Sequence, residues 1–335
     1  MASENSVSIY DVAQEAGVSI ATVSRVLNNN GNVSQKTREN VLEALRKLNY
    51  QPSAIARAMV NKKMQIVGIL TVDIRSENYN VAAYTIERSL AIMGYSSIIC
   101  NTFGSTEDNI NSMQMLLDKG VSGIICIGSV FDKTFNETNI LFEYSSVPFI
   151  VTNYSIDAEN VCSVDFDEQA GIEKVISHLL EGGHSDIFFV KDVESFSSNK
   201  KEKVFLGELI SRGLEADKGH VVETTRSLEG GEAAVDRIIA SGRPFSAILF
   251  NDDLTAIGGM KRLISLGYRV PEDVAIVGYN NTVLSKCCTP SLTTVSTNFE
   301  TLGSTCVDLL MGLIDGTSTA KDVIIKPKLI VRDSS

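Results

Sequence analysis

From Ile66 onward, short apolar runs alternate with helix-prone stretches, and this alternation narrows the possible folds more than any other feature. Candidate strands cover 66–72, 97–101, 123–127, 148–152, 186–190, 246–251 and 274–279, and a further strand-like run covers 323–331. Gly94, Gly120, Gly182, Gly213 and Gly267 fall where the intervening helices should end. Near-continuous apolar strands joined by helical crossovers mark parallel sheets covered on both faces. Their number suits two doubly wound lobes rather than one. The length of 335 residues also suits about two domains, at roughly 150 residues each. With 44% hydrophobic and 21% charged residues, the chain can fill such cores, which excludes wholesale disorder.

The N-terminal residues follow a helical period instead. Ser8-Ile9-Tyr10-Asp11 is a capping-box pattern, Val12, Ala13 and Ala16 supply one apolar face, and Gly17 stops the helix. Ser19 caps the next helix, over 20–27, in which Val23, Val26 and Leu27 recur at helical spacing. Two helices joined by Gly17-Val18-Ser19 form a helix-turn-helix. A third helix begins near Ser34 and is expected to close the small core with Val41, Leu42, Leu45 and Leu48. The opposite face of the second helix carries Thr22, Ser24, Arg25 and Asn28, groups that suit base edges and phosphates better than a dry protein contact.

Charge is divided in the same sense. Residues 1–63 carry eight basic and five acidic side chains, a net +3, so that of the overall −11 a net −14 falls on residues 64–335. A basic head on an acidic body points to a head that meets a polyanion.

The run from Ile9 to Asn28, IYDVAQEAGVSIATVSRVLN, resembles the N-terminal signature of the lac repressor (LacI/GalR) family. So do Asn32-Val33-Ser34, Thr37-Arg38 and the stretch Asn49-Tyr50-Gln51-Pro52-Ser53-Ala54-Ile55-Ala56-Arg57, while Ile20-Ala21-Thr22 is similar to the catabolite-control branch. The resemblance implies that the second helix enters the major groove. Ile20, Ala21 and Arg25 would face base edges, and Tyr10, Ser19, Thr22, Ser24, Asn28, Asn32, Ser34 and Thr37 would mainly hold phosphates. Arg25 is the residue of that helix able to make a bidentate contact with guanine. The resemblance further implies a hinge helix after Pro52 that forms on the operator and wedges into the minor groove. Tyr50, Ser53, Ala56 and Met59 complete the expected DNA-binding set. Met59 stands where the family usually has leucine.

The body, by Val67-Gly68-Ile69, Gly183-His184, Asn251-Asp252, Val270-Pro271-Glu272-Asp273-Val274 and Val277-Gly278-Tyr279, resembles the type I periplasmic-binding-protein fold that this family carries. The expected organisation is a head at 1–50, a hinge at 51–63 and a two-lobed core at 64–335. Three crossings near 163, 295 and 324 would divide the core into lobe 1 (64–163 and 296–323) and lobe 2 (164–295 and 324–335).

In open α/β sheets, ligands sit outside the carboxyl ends of the strands. Those ends offer Asp73, Arg75, Ser76, Asn101, Ser129 and Asn153, and from the second lobe Asn251, Asp252, Asn280 and Asn281. Amides, hydroxyls and a few charges suit a polyol, sugar or similar small polar metabolite. Two departures bear on this. The family often has an effector-binding arginine followed three residues later by glycine, where this chain has Lys201 and Val204. It also often has aspartate after Gly278-Tyr279, where this chain has Asn280, which donates and accepts but carries no charge. The expected effector set is therefore Asp73, Arg75, Ser76, Ser129, Lys201, Asn251 and Asn280. The departures weaken a simple sugar and leave a phosphorylated metabolite, a protein co-effector or no effector open.

Catalytic readings find little support. The chain has no G-x-x-x-x-G-K-[ST] loop, no G-x-G-x-x-G opening a helix and no G-x-S-x-G elbow. Its only histidines are His178, His184 and His220, and Asp252-Asp253 reads as a hydroxyl-binding or helix-capping pair. Six scattered cysteines, without C-x-x-C or zinc spacing, read as reduced thiols, with the adjacent Cys287-Cys288 the one pair able to respond to oxidation. No metal or cofactor is expected. No run of about 18 apolar residues occurs, and the N-terminus lacks a basic start followed by an apolar run, so the expected location is the cytoplasm, with no membrane partner.

The sequence therefore predicts a homodimeric transcriptional regulator, a repressor on a pseudo-palindromic operator, modulated by a small ligand. An activator of the same architecture, a small-molecule-binding protein and an enzyme of the doubly wound class are the alternatives.

Overall fold

The computed structural model describes residues 7–27, 33–48, 50, 65–138, 140–143, 146–317 and 322–335. The chain divides into one unit over residues 1–64 and another over 65–335.

In the first unit, helices α1 (Ile9–Glu15), α2 (Ile20–Leu27) and α3 (Gln35–Lys47) surround one small core. Ser8 caps α1: its backbone N–H donates to the Asp11 carboxylate at 2.8 Å, and its Oγ accepts from Asp11 N–H at 3.4 Å. Gly17 takes φ 65° in the turn to α2, a conformation that costs glycine nothing. Val12, Ala13, Val23, Val26, Val41 and Ala44 form the core, with Leu27, Leu45, Leu48 and Tyr50 packed around it. Leu42 departs from the expected set, being 39% exposed. At 3.6 residues per turn, the face of Val41 continues through Ala44, Leu45 and Leu48, and Leu42 lies about 100° away from it.

The second unit has two six-stranded sheets. The first contains β1 (Ile66–Thr71), β2 (Ser96–Asn101), β3 (Gly123–Ile127), β4 (Phe149–Thr152), β5 (Val161–Phe166) and β11 (Asp322–Ile325), in the order β11-β5-β4-β3-β1-β2. The second contains β6 (Ile187–Lys191), β7 (Val221–Glu223), β8 (Ala247–Phe250), β9 (Ala275–Tyr279), β10 (Thr293–Ser296) and β12 (Lys328–Ile330), in the order β12-β10-β9-β8-β6-β7. Pairing is parallel throughout except between β10 and β12.

Helices cover both faces of each sheet. The first lobe has α4 (Glu77–Ile92), α5 (Thr106–Asp118), α6 (Phe131–Glu137), α7 (Ile140–Glu143) and α13 (Phe299–Asp315). The second has α8 (Glu168–Glu181), α9 (Phe196–Ser211), α10 (Leu228–Ala240), α11 (Asp253–Ser265) and α12 (Leu284–Cys287). Strand alternation feeds the two layers. On β1, Val67 and Ile69 join Ile86, Leu90 and Leu302, whereas Leu70 joins Met113, Leu116 and Ile124 on the other face. On β6, Phe189 and Phe188 divide in the same way between the two cores of the second lobe.

Three strands carry no apolar run in the sequence and were not expected. β5 contains Ser163 and Asp165, β7 has only three residues, and β10 reads Thr-Thr-Val-Ser. The expected strand over 323–331 is two strands in different sheets, β11 and β12, divided at Lys326-Pro327. The passages between lobes therefore follow Phe166, Ser296 and Ile325, slightly beyond the expected positions. Gly182 caps the end of α8 as expected, and the left-handed residue that follows it is Gly183, at φ 86°.

Helices α10 and α11 meet backbone to backbone. A Cβ on Gly231 would lie 2.0 Å from the Thr255 carbonyl oxygen, and one on Gly258 would lie 2.1 Å from that of Leu228. Gly231→Ala is therefore expected to destabilise the second lobe by about 1–3 kcal/mol or more, read as a lower denaturant midpoint. An unchanged midpoint would mean that the two helices separate without cost.

Candidate DNA interface and interlobe cleft

In the head, burial of Val23 and Val26 turns the other side of α2 outward. Ile20 and Tyr10 are 38% and 68% exposed, Ala21 and Arg25 are exposed, and Thr22 and Ser24 are half-buried. The two helix starts are built alike. Ser19 Oγ accepts from Thr22 N–H at 3.2 Å and pairs with the Thr22 hydroxyl at 2.9 Å. Ser34 Oγ accepts from Thr37 N–H at 3.2 Å and pairs with the Thr37 hydroxyl at 2.8 Å. Ser19 thus caps α2 as expected, and Ser34 caps α3 in the same way. Tyr50 packs on the head core, and its N–H donates to the Leu45 carbonyl at 3.0 Å. Asn28, Asn32, Ser53, Ala56 and Met59 lie outside the described residues.

In the body, loops beyond the carboxyl ends of strands in both sheets line an interlobe cleft. Ser129, Asn153, Lys201, Asn251 and Asn280 meet around an inner cavity of about 60 Å³. Asp73, Arg75 and Ser76 do not reach it. They line an outer groove of about 780 Å³ with Arg226 and Asp252, and Asp73 and Arg75 pair with each other at 2.7 Å. Asn101 supports that loop, accepting from Ile74 N–H at 2.8 Å. Asn281 accepts from the Arg332 guanidinium at 2.6 Å.

A polar network runs through the inner cavity. Lys201 Nζ donates to Asn251 Oδ1 at 3.1 Å and lies 3.9 Å from the centre of the Tyr279 ring. Asn251 Nδ2 and Thr255 Oγ1 donate to the two oxygens of Asp192, each at 2.7 Å. Arg226 Nε lies 3.6 Å from Asp192 and 3.9 Å from Asp252, and Asn280 Nδ2 donates to Asp252 at 3.0 Å. Bonds that cross between the lobes include Asn78 Nδ2 to Asp252 at 3.4 Å and Val283 N–H to Glu77 Oε1 at 2.6 Å. Asn153, Asn280 and Asn281 take positive φ, which asparagine tolerates better than most residues.

Electrostatics follow from burial. Burial lowers the pKa of Lys201 against the pull of Glu168 and Asp192, and it raises that of Glu168 against Lys201. Burial also raises Asp252 despite Arg226. Arg226 goes the other way: burial opposes its charge, but Asp252 and Asp192 hold its pKa above the ordinary value.

Asp253 is wholly buried at the start of α11 and accepts from Thr282 N–H at 2.6 Å, Thr282 Oγ1 at 2.9 Å and Thr294 Oγ1 at 2.5 Å. Burial pushes its carboxyl up from 3.8 to about 7, with the threonine bonds opposing. Between about pH 4 and pH 7 the folded protein therefore keeps a proton there that the unfolded chain loses. This stabilisation is full below about pH 4 and is lost as pH rises towards 7. Asp253→Asn should accordingly gain stability relative to the parent between pH 5 and pH 8, measured by urea unfolding. A difference that ignores pH would mean that Asp253 stays charged throughout.

Sequence reasoning missed Asn78, Tyr79, Asp192, Arg226 and Phe299, all of which border the cavity or its network. Asp192 directly follows β6 and was open to the strand-end rule. Arg226 follows the short β7, which no apolar run announces. Asn78, Tyr79 and Phe299 sit in the first turns of α4 and α13 and have no strand-end signal. Among the described residues, no group of His, Cys, Asp and Glu could hold a metal ion, and none of the three histidines lines the cavity or the groove. No described helix is long and apolar enough to cross a membrane.

A family model of bacterial regulatory proteins, lacI family, matches residues 8–53, and one of the periplasmic binding protein-like domain matches residues 176–335. An HTH-type transcriptional regulator of Lachnoclostridium phytofermentans is 31% identical over 98% of this chain and 99% of its own length. The chain belongs to the lacI family. Catabolite control protein A of Staphylococcus xylosus is 33% identical to this LacI-family chain, over 97% of each. The lac repressor dimer bound to operator and the anti-inducer ONPF superposes with a TM-score of 0.87 at 28% identity, covering 98% of each chain. The LacI-family chain is thus a DNA-binding transcriptional regulator, of a family of regulators and not of enzymes.

Proposed function

We propose that two copies of this regulator bind a pseudo-palindromic operator, that the complex represses transcription in the cytoplasm, and that a small polar ligand between the lobes sets operator affinity. The observation that carries the DNA reading is the division of α2, with Val23 and Val26 buried and Ile20, Ala21 and Arg25 turned outward. One head of this size reads only a half-site, and two heads about one helical turn apart supply the rest. The structurally similar lac repressor binds its operator as a dimer.

Arg25 reads a base, Ile20 and Ala21 make apolar contact in the groove, and Tyr10, Thr22, Ser24 and Thr37 hold the phosphates beside them. The hinge of residues 51–63 lies outside the described residues, and its wedge at Met59 is proposed on the family resemblance. Ser129, Asn153, Asn251 and Asn280 offer the ligand amides and a hydroxyl, while Lys201 and Arg226 are held in place by their own partners. Control is a coupling energy of about 1–3 kcal/mol between lobe closure and the spacing of the two heads.

Selection of DNA by the purified protein from a random pool, at a stated physiological salt, tests this reading. A roughly palindromic enriched site is expected, and its central base step reports on Met59. A pool with no enrichment, with and without added metabolites, would overturn it.

A further inference from the structure

We propose that the ligand of the interlobe cleft carries an anionic group, a phosphate or a carboxylate, held at one mouth of the cleft between Lys133 of the first lobe and Lys200 and Lys203 of the second. This rests on the reading of the cleft as a ligand site.

The argument begins with the division of charge. Around the inner cavity two cations, Lys201 and Arg226, face three carboxylates, Glu168, Asp192 and Asp252. Both cations are already engaged, Lys201 by Asn251 and Tyr279, and Arg226 by Asp192 and Asp252. An anion placed there would meet excess negative charge with little water to screen it. The inner cavity therefore suits the uncharged, hydrogen-bonding part of a ligand.

A pocket of about 450 Å³ adjoins it, the two sharing Val130 and Ser195 in their walls. Its charged lining is Lys133, Lys200, Lys203, Asp132 and Glu194. Glu194 is taken up by Lys191 and Asn199, each at 2.6 Å. Among the described residues, none of the three lysines makes a hydrogen bond or ion pair, although Glu194 attracts Lys133 and the carboxylates of Asp165 and Glu168 attract Lys200 through space. These lysines stand on an acidic body of net −14, so they are not part of a general basic surface. They also come from both sides of the cleft. Like charges facing each other across a closing cleft repel, and an anion between them converts that repulsion into attraction from both lobes. A ligand with such a group thus binds the closed arrangement in preference to the open one. The outer groove offers no equivalent, because its Arg75 is already paired with Asp73.

The full chain is titrated calorimetrically with glucose 6-phosphate, glucuronate and glucose, beside the variant Lys133→Gln/Lys200→Gln/Lys203→Gln. All three lysines are exposed, so the variant should keep its fold, checked by circular dichroism. At least one charged probe is expected to bind about tenfold or more tighter than glucose, with the advantage falling as salt rises and vanishing in the variant. Glucose 6-phosphate against glucuronate distinguishes phosphate from carboxylate. In parallel, inorganic phosphate should protect these three lysines from acetylation more than other exposed lysines. Equal binding of charged and neutral probes, an advantage that survives in the variant, or no probe binding together with no protection would each overturn the proposal. Failure of the ligand reading itself looks different: Asn251→Ala would then leave binding of every probe unchanged, whereas if only the anion is wrong, glucose binding still depends on Asn251.

Discussion

Arg25→Ala is expected to lower operator affinity by about 1–3 kcal/mol at each half-site, and the loss doubles in a dimer because the two half-sites are separate. Arg25 is exposed on α2, where Val23 and Val26 are committed to the head core, so its removal leaves the fold of the helix intact. What is lost is a planar group with paired donors, the geometry that distinguishes guanine from the other bases. The measurement is binding-site selection with the variant. One base position in each half-site should become degenerate while the others keep their preference. Lys36→Ala provides the contrast. Lys36 is an exposed cation near the start of α3, and its loss should weaken binding evenly across sequences and reduce the salt slope. An unchanged base preference in Arg25→Ala would remove Arg25 from the reading set.

Arg226→Ala is expected to destabilise the body by about 3 kcal/mol at pH 8, the lower end of the range for breaking a buried ion pair, since the arginine side chain keeps 28% exposure. Asp192 and Asp252, 0% and 6% exposed at their side chains, would then face each other without their shared cation. Asp252 is already raised by burial, and without Arg226 it rises further. An acid whose folded pKa lies above its unfolded one stabilises the fold at low pH and loses that contribution as pH rises. The deficit should therefore shrink towards pH 5, where protonation relieves the repulsion. Urea unfolding at both values reads this directly, and adding Asp192→Asn should restore part of the loss at pH 8. A deficit under about 1 kcal/mol and equal at both pH values would mean that water, not Arg226, screens the two carboxylates.

The readable parts of the chain are those whose signals are local. The capping box at Ser8, Gly17 in its turn and the spacing of Val23 and Val26 lie within a few residues of what they control. The same holds for apolar strands such as β3 and β9, which are buried on both faces and whose residues must therefore be apolar. β10 was missed because its buried Thr293 and Thr294 are satisfied from far along the chain, by Ser334 and by Asp253. The cleft was read in part for a related reason. Strand-end logic places Ser129, Asn251 and Asn280, but it cannot say that Asp73 and Arg75 pair on the rim while Asn78 and Phe299 reach the cavity from helix starts.

The sequence by itself determined the helix-turn-helix, the two doubly wound lobes and the family, because hydrophobic period, caps and turns act over short stretches of chain. Tertiary structure alone decided that 323–331 serves two sheets, that α10 and α11 touch through Gly231 and Gly258, and that Arg226 sits between Asp192 and Asp252. Each of these depends on which distant groups are brought out of water together. The energy of a buried charge or a close backbone contact is set by those neighbours and not by the residues beside it in sequence.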